Sequence, residues 1–157
     1  MTGRAKSTRT IHVGFTVSDL DRSIAMFTDL FGYEIESRGI TSYKGVALLT
    51  GVEGANLDVV HLRHPDLVTV ELMQYLVGAG AQGPAKRPCD VSFAHLTYQV
   101  EDIEAAVAAA AAHGLQPVGR IVHSSRDPAN LRRVVYLRDP DGIHLELIQH
   151  TGAGGEA

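Results

Sequence analysis

Residues Val134–His150 read VVYLRDPDGIHLELIQH, two apolar runs joined by Asp139-Pro140-Asp141-Gly142. Pro140 sets the φ that the second position of a type I turn needs, and Gly142 frees the exit. Beyond the turn the side chains alternate. Ile143, Leu145 and Leu147 point one way; His144, Glu146, Ile148 and His150 point the other. A carboxylate on a strand face that reads as buried costs free energy unless it is paired or bound to a metal. The chain carries a second copy of this arrangement, and the duplication decides the fold.

Upstream, Val68–Tyr75 (VTVELMQY) alternates in the same way, with Val70 and Leu72 on one face and Thr69, Glu71, Met73 and Tyr75 on the other. Each such strand closes a similar series. Ile11–Val17 is a strand followed by Ser18-Asp19-Leu20-Asp21, an N-cap oxygen with acidic residues in the first turn. Leu20, Ile24, Phe27 and Phe31 then recur at helical spacing, and Gly32 is placed to stop the helix. Phe93–Val100 and Glu101-Asp102-Ile103-Glu104 repeat the pattern; Ile103, Val107 and Ala110 or Ala111 form the stripe, and Gly114 is the stop. Between helix and last strand, the first half predicts strands around Tyr33–Arg38, Lys44–Thr50 and Leu57–Arg63, with a turn at Gly51–Gly54. The second predicts Leu115–Val122 and Arg132–Leu137, separated by a polar loop at His123–Asn130.

The halves superpose as text. His12 matches His95 at a shift of 83, Gly32 matches Gly114 at 82, and Glu71 matches Glu146 at 75. Both read roughly as β-α-β-β-β, with a His on the first strand and a Glu on the last, and such a repeat outweighs any single segment in fixing the architecture. The expected organisation is a loose N-terminus (1–10), a first module (11–75), a Gly/Pro/Ala-rich linker (76–92), a second module (93–150) and a frayed tail (151–157).

Composition narrows the function. The chain has 157 residues and a formal net charge of −4, which argues against a nucleic-acid partner. Cys89 is the only cysteine, so neither an intramolecular disulfide nor a multi-cysteine zinc site is possible. No apolar run reaches membrane-spanning length and none has signal-peptide character. A cytoplasmic protein is expected; that it acts on a small-molecule substrate follows from the site residues and the resemblance below. The arginines at 120, 126, 132 and 133 with His123 form a basic run around one loop. It reads as a solvated loop, with binding of an acidic tail as the alternative.

His12, Glu71, His95 and Glu146 come from four strands, each on the face opposite the large aliphatics. A lone strand His or Glu is usually an ordinary hydrogen-bonded or solvated residue. Two of each at equivalent positions converge if the halves pack about a pseudo-two-fold axis. Two neutral nitrogens and two carboxylates then suit a divalent ion such as Zn²⁺, Ni²⁺, Co²⁺, Mn²⁺ or Fe²⁺. Thr97, Gln99, Tyr75, His144 and His150 share the ligand-bearing faces by parity and are candidate pocket residues. A structural polar core left by duplication is the competing reading.

The pieces HVGFTVSDLDRSIAMFTDLFGY, VELMQY, HLTYQVEDIEAAVAAAAAHG and LRDPDGIHLELIQ resemble the vicinal oxygen chelate superfamily, which includes glyoxalase I, methylmalonyl-CoA epimerase, fosfomycin-resistance transferases, bleomycin-resistance proteins and extradiol dioxygenases. The resemblance implies an α+β fold of two paired βαβββ modules, forming an open barrel-like mixed sheet around a metal. It implies ligands at first- and last-strand positions of both modules, here His12, Glu71, His95 and Glu146, and a homodimer. A carboxylate at Glu71 tilts the set toward glyoxalase I and away from the members that use two His and one carboxylate. The expected chemistry is isomerisation, epimerisation or lysis by proton abstraction beside a metal-chelated carbonyl, through an enolate, with Glu146 or Glu71 as base. The alternatives are a metal-free natural-product-binding resistance protein and an Fe(II) extradiol dioxygenase.

Overall fold

The computed structural model describes residues 8–42, 44–124 and 131–151. Most of the expected N-terminal arm, the tail from residue 152, and Arg126 with the loop at 125–130 lie outside the described residues. The chain divides into two compact units, Met1–Gly80 and Ala81–Ala157. Each is a mixed sheet with a helix on one face; neither sheet closes into a barrel.

In the first unit, β1 (His12–Thr16) leads into α1 (Leu20–Phe31), followed by β2 (Glu34–Thr41), α2 (Lys44–Thr50), β3 (Asn56–Arg63) and β4 (Thr69–Val77). The sheet order is β1-β4-β3-β2, with β1 parallel to β4 and the remaining pairs antiparallel. Helix α1 starts where the capping residues require: the Asp19 side chain accepts from Arg22 N–H, and Gly32 adopts φ 68° at the C-terminal end. Phe27, Leu20, Val60, Leu62, Val70 and Leu72 are almost wholly buried between helix and sheet.

The second unit repeats this with β5 (His95–Gln99), α3 (Ile103–Ala112), β6 (Gln116–Pro117), β7 (Val122–Ser124), β8 (Arg132–Arg138) and β9 (His144–His150). The sheet order is β5-β9-β8-β6, with β7 also paired to β8. At the shift of 75, the buried Val60, Leu62, Val70 and Leu72 become the buried Val135, Leu137, Leu145 and Leu147. At the shift of 83, Phe27 becomes Ala110, so an alanine-rich helix replaces an aromatic-centred one over the same sheet face.

A glutamine repeats with the core. Gln74 accepts from Leu20 N–H and donates to Ser18 C=O. Gln149 accepts from Ile103 N–H and donates to Glu101 C=O. Each ties an otherwise unpaired first-turn N–H of the helix to the last strand. This fixes the helix over the sheet and leaves the opposite sheet face open.

Three expectations are corrected. Lys44–Thr50 is a helix, not a strand. Its Ala47-Leu48-Leu49 run favours helix, Thr50 Oγ1 bonds back to Val46 C=O, and Gly51 at φ 70° ends it; a short apolar run does not distinguish helix from strand by period. Leu115–Val122 is not one strand but two fragments: pairing runs through Pro117 to the Val118 N–H, which bonds to Tyr136 C=O, and breaks beyond it at Gly119 before β7 begins at Val122. The second of these, β7, carries His123 and Ser124 into pairing with β8 at the start of the expected loop. Residues 76–92 are not a uniform linker: β4 takes Leu76 and Val77. Further on, Gln82 donates to Pro140 C=O and Arg87 pairs with Asp90, both inside the second unit.

Candidate metal centre

In the first unit the open face gathers three side chains on adjacent strands. Gly14 lies opposite Glu71 across the parallel β1–β4 pair, and His61 lies opposite Glu71 across β3–β4. A Cβ at Gly14 would stand 3.2 Å from Glu71 Oε2, so the glycine leaves room for the carboxylate to lie across β1. Glu71 Oε2 reaches His12 Nε2 at 3.4 Å, and Oε1 reaches His61 Nε2 at 3.2 Å. Each carboxylate oxygen thus faces one imidazole. A β-bulge between Ile35 and Ser37 brings Ser37 opposite His61, and Ser37 Oγ lies 3.2 Å from His61 Nδ1.

The second unit uses the same strand positions differently. His95 Nε2 is 3.5 Å from Glu146 Oε2. Thr97, where the first unit has Gly14, donates from Oγ1 to the same oxygen at 2.8 Å. Tyr136, opposite Glu146 in the β8–β9 register, takes the place of His61. Burial first, then the charge of Glu146 and a hydrogen bond to it, push the Tyr136 phenol above its ordinary value. Tyr136 therefore stays protonated and donates. Its ring stands edge-on to His95, centroids 5.1 Å apart.

The structure therefore pairs His12 with Glu71 and His95 with Glu146, one pair on each open face. Thr97 contacts Glu146 directly. His144 is buried at 3% exposure, edge-on to Phe93 at 4.7 Å. Burial lowers its pKa against a bond to the Gly142 backbone, which is the behaviour of a packed neutral imidazole. Tyr75 packs against the Val46–Ala55–Leu57 cluster beside α2. Gln99 and His150 line a shallow depression of about 370 Å³ with Val100 and Glu101. Arg133 is tied to Glu104 and Gln149, so this member of the basic run is held within its unit.

Sequence reasoning missed His61, Tyr136 and Ser37. The signal was present for the first two: each stands ten residues before its glutamate, 61 to 71 and 136 to 146, so the shift relating Glu71 to Glu146 relates them too. Ser37 depends on a bulge that no spacing reveals.

The donor chemistry fits a divalent cation. Ligands held at about 2.0–2.2 Å stand ~3.0 Å apart along an octahedral edge and ~3.4 Å along a tetrahedral one. The N–O separations of 3.2–3.5 Å lie near the tetrahedral edge and are also those of direct imidazole–carboxylate contacts.

Comparison with known proteins identifies the family and the fold. The model of the glyoxalase/bleomycin resistance protein/dioxygenase superfamily matches residues 11–136, and the chain belongs to that family. It is 28% identical over 148 residues to a putative lactoylglutathione lyase of Brassica oleracea, covering 90% of this chain but only 44% of the plant protein's length. It is also 28% identical over 141 residues to a 2-epi-5-epi-valiolone epimerase of an Actinomyces species, covering 87% of this chain and 76% of the epimerase. Among solved structures, a glyoxalase family protein from Bacillus cereus superposes with a TM-score of 0.82 at 23% identity, covering 97% of this chain and all of that one. A fosfomycin resistance protein from Listeria monocytogenes, solved with Mn(II), gives 0.60 at 14% identity, covering 95% and 94%. These likenesses establish the fold. No helix among the described residues is long and apolar enough to cross a membrane.

Proposed function

We propose that the protein is a divalent-metal-dependent isomerase, epimerase or lyase that moves a proton on a carbon next to a carbonyl of a small substrate. The observation that carries this reading is the repeated His–Glu pair at one register in both units, His12 with Glu71 and His95 with Glu146. These four are its candidate ligands, for a Zn, Ni, Co, Mn or Fe ion. The relatives named as a lyase and an epimerase support the reaction class.

When bound, the ion polarises a substrate carbonyl, acidifies the adjacent C–H and stabilises the negative charge that develops on oxygen. The chain supplies the base. Glu146 is the better candidate because Thr97 and Tyr136 both donate to its carboxylate and hold it in one orientation. Its side chain is 17% exposed, open enough to meet a substrate. Glu71, between two imidazoles, is the more committed to holding the cation. Tyr136, kept protonated, can return a proton to a substrate oxygen within its reach. A homodimer acting on a small molecule is part of this proposal, as the resemblance implies.

The test is metal analysis of the purified protein combined with deuterium wash-in. Stoichiometric divalent metal is expected, lost in His12→Ala and Glu71→Ala. In D₂O, one of a panel of glutathione hemithioacetals, methylmalonyl-CoA and α-hydroxy ketones should take up deuterium at the carbon beside its carbonyl. Folded protein that takes up no metal rejects the reading. Tight binding of a natural product that is indifferent to chelator would replace it with a sequestering role.

A further inference from the structure

We propose that the first unit holds the metal by itself, through His12, Glu71 and His61, so that His61 is a third protein ligand and the ion survives loss of both His95 and Glu146. The inference rests on the metal reading above and specifies where the ion is anchored.

One ligand atom from each of His12, His61 and Glu71 lies within 4.8 Å of the others, and all three side chains rise from one sheet, on the neighbouring strands β1, β3 and β4. Their spacing is therefore set by ladder hydrogen bonds rather than by mobile loops, as a preorganised site requires. Two further features fit a ligating role for His61. A metal-bound imidazole engages its other ring nitrogen with an oxygen that fixes tautomer and orientation. Ser37 Oγ is at that position, 3.2 Å from Nδ1, and it reaches it through a β-bulge, a device that re-aims side chains next to functional sites. In the tautomer that gives Nδ1–H to Ser37, the Nε2 lone pair faces the Glu71 carboxylate and a cation fits between two acceptors; in the other tautomer Nε2–H donates to Glu71 directly, so a bound metal would select the first. Gly14 completes the cradle, since a side chain there would crowd Glu71.

The second unit has no such triad among its described residues. At the position of His61 it carries Tyr136, which donates to Glu146, and at the position of Gly14 it carries Thr97, which also donates to Glu146. Two nitrogens and a carboxylate on one side of a six-coordinate ion leave three positions for other ligands, water or substrate oxygens.

The test uses the full-length chain, stripped of metal and titrated with Co²⁺ by calorimetry, with circular dichroism confirming the fold of each variant. The His95→Ala/Glu146→Gln double variant should still bind Co²⁺ measurably, though more weakly than wild type. Adding His61→Ala should weaken it by roughly 100-fold or more, beyond the ~10–100-fold that loss of an orienting partner costs. In the double variant loaded with Cu²⁺, electron paramagnetic resonance should count two imidazole nitrogens, a readout needing no change at His61. A double variant that takes no Co²⁺ while wild type does would overturn the inference and leave the proposed function standing. So would a single coupled nitrogen, or an affinity indifferent to His61→Ala. A wild-type protein that takes no metal would overturn both.

Discussion

The two glutamates occupy one register on two copies of the same sheet, yet their surroundings have diverged. Glu71 is flanked by imidazoles and faces a glycine; Glu146 is flanked by one imidazole and held by two hydroxyls. Imidazole nitrogens with free lone pairs are what a borderline cation requires. Hydroxyl donors instead fix a carboxylate's direction and leave it a lone pair to accept a proton. Duplication supplied two similar strand ends; on the reading proposed above, the differences at 14/97 and 61/136, with Ser37 in the first unit, set a cation-holding face apart from a proton-moving one. The core beneath did not diverge in the same way: Val60, Leu62 and Leu72 keep their identity at Val135, Leu137 and Leu147.

The largest effect that would break this comparison is expected at the base. Glu146→Gln should lower turnover by about 10²–10⁴-fold, the range associated with loss of a general base, whereas Glu71→Gln should act mainly through loss of metal. A steady-state comparison at saturating metal separates them. Exchanging the diverged position is the next strongest probe. His61→Tyr should cut Co²⁺ affinity sharply, and Tyr136→His should leave affinity in place but slow turnover; equal effects of the two would erase the distinction. Thr97→Val should reduce kcat several-fold with KM little changed, since it removes one donor that orients Glu146 without removing the carboxylate.

Stability comparisons are smaller and should be symmetric. Gln74→Ala and Gln149→Ala each strip a helix N-terminus of its tether and should cost about 1–2 kcal/mol in thermal unfolding. A large difference between them would show that the repeat is less regular energetically than geometrically. The smallest effect concerns the helix–sheet ion pairs. Asp21 is joined to Asp58 through Arg38 in the first unit, and Glu104 pairs directly with Arg133 in the second. Hydrogen bonding to Arg133 lowers the Glu104 carboxyl below its ordinary 4.5. A depressed folded value means that this stabilisation is present above about pH 4.5 and is lost as pH falls through the lowered value. Arg133→Met should flatten that part of the melting-temperature profile, modestly, because the Glu104 side chain is more than half exposed.

Much of this was legible in the sequence because it is periodic. Helix starts at Ser18-Asp19 and Glu101-Asp102, stops at Gly32 and Gly114, and the aliphatic faces of the last strands all follow from local chemistry that repeats; which residue of each start is the cap, Asp19 and Asp102, is the structure's finding. The His–Glu pairs were found because repetition marks them. What escaped was either aperiodic or dependent on pairing. Helix α2 interrupts the first unit with no counterpart among the described residues of the second, and its seven residues are too short for a period. The edge strand after α3 breaks beyond Val118, where composition reads as continuous. His61 and Tyr136 sit on inner strands, where alternation alone makes them look like ordinary surface-facing residues. Only the ladder register, which sets each directly opposite a glutamate, gives them meaning.

The most direct test of the division between the two faces is to load Glu146→Gln with Co²⁺ and follow both the bound metal and deuterium uptake into a substrate that the wild type labels. Metal retained with labelling abolished is the predicted result. Metal lost in proportion to labelling, or labelling that persists, would contradict it.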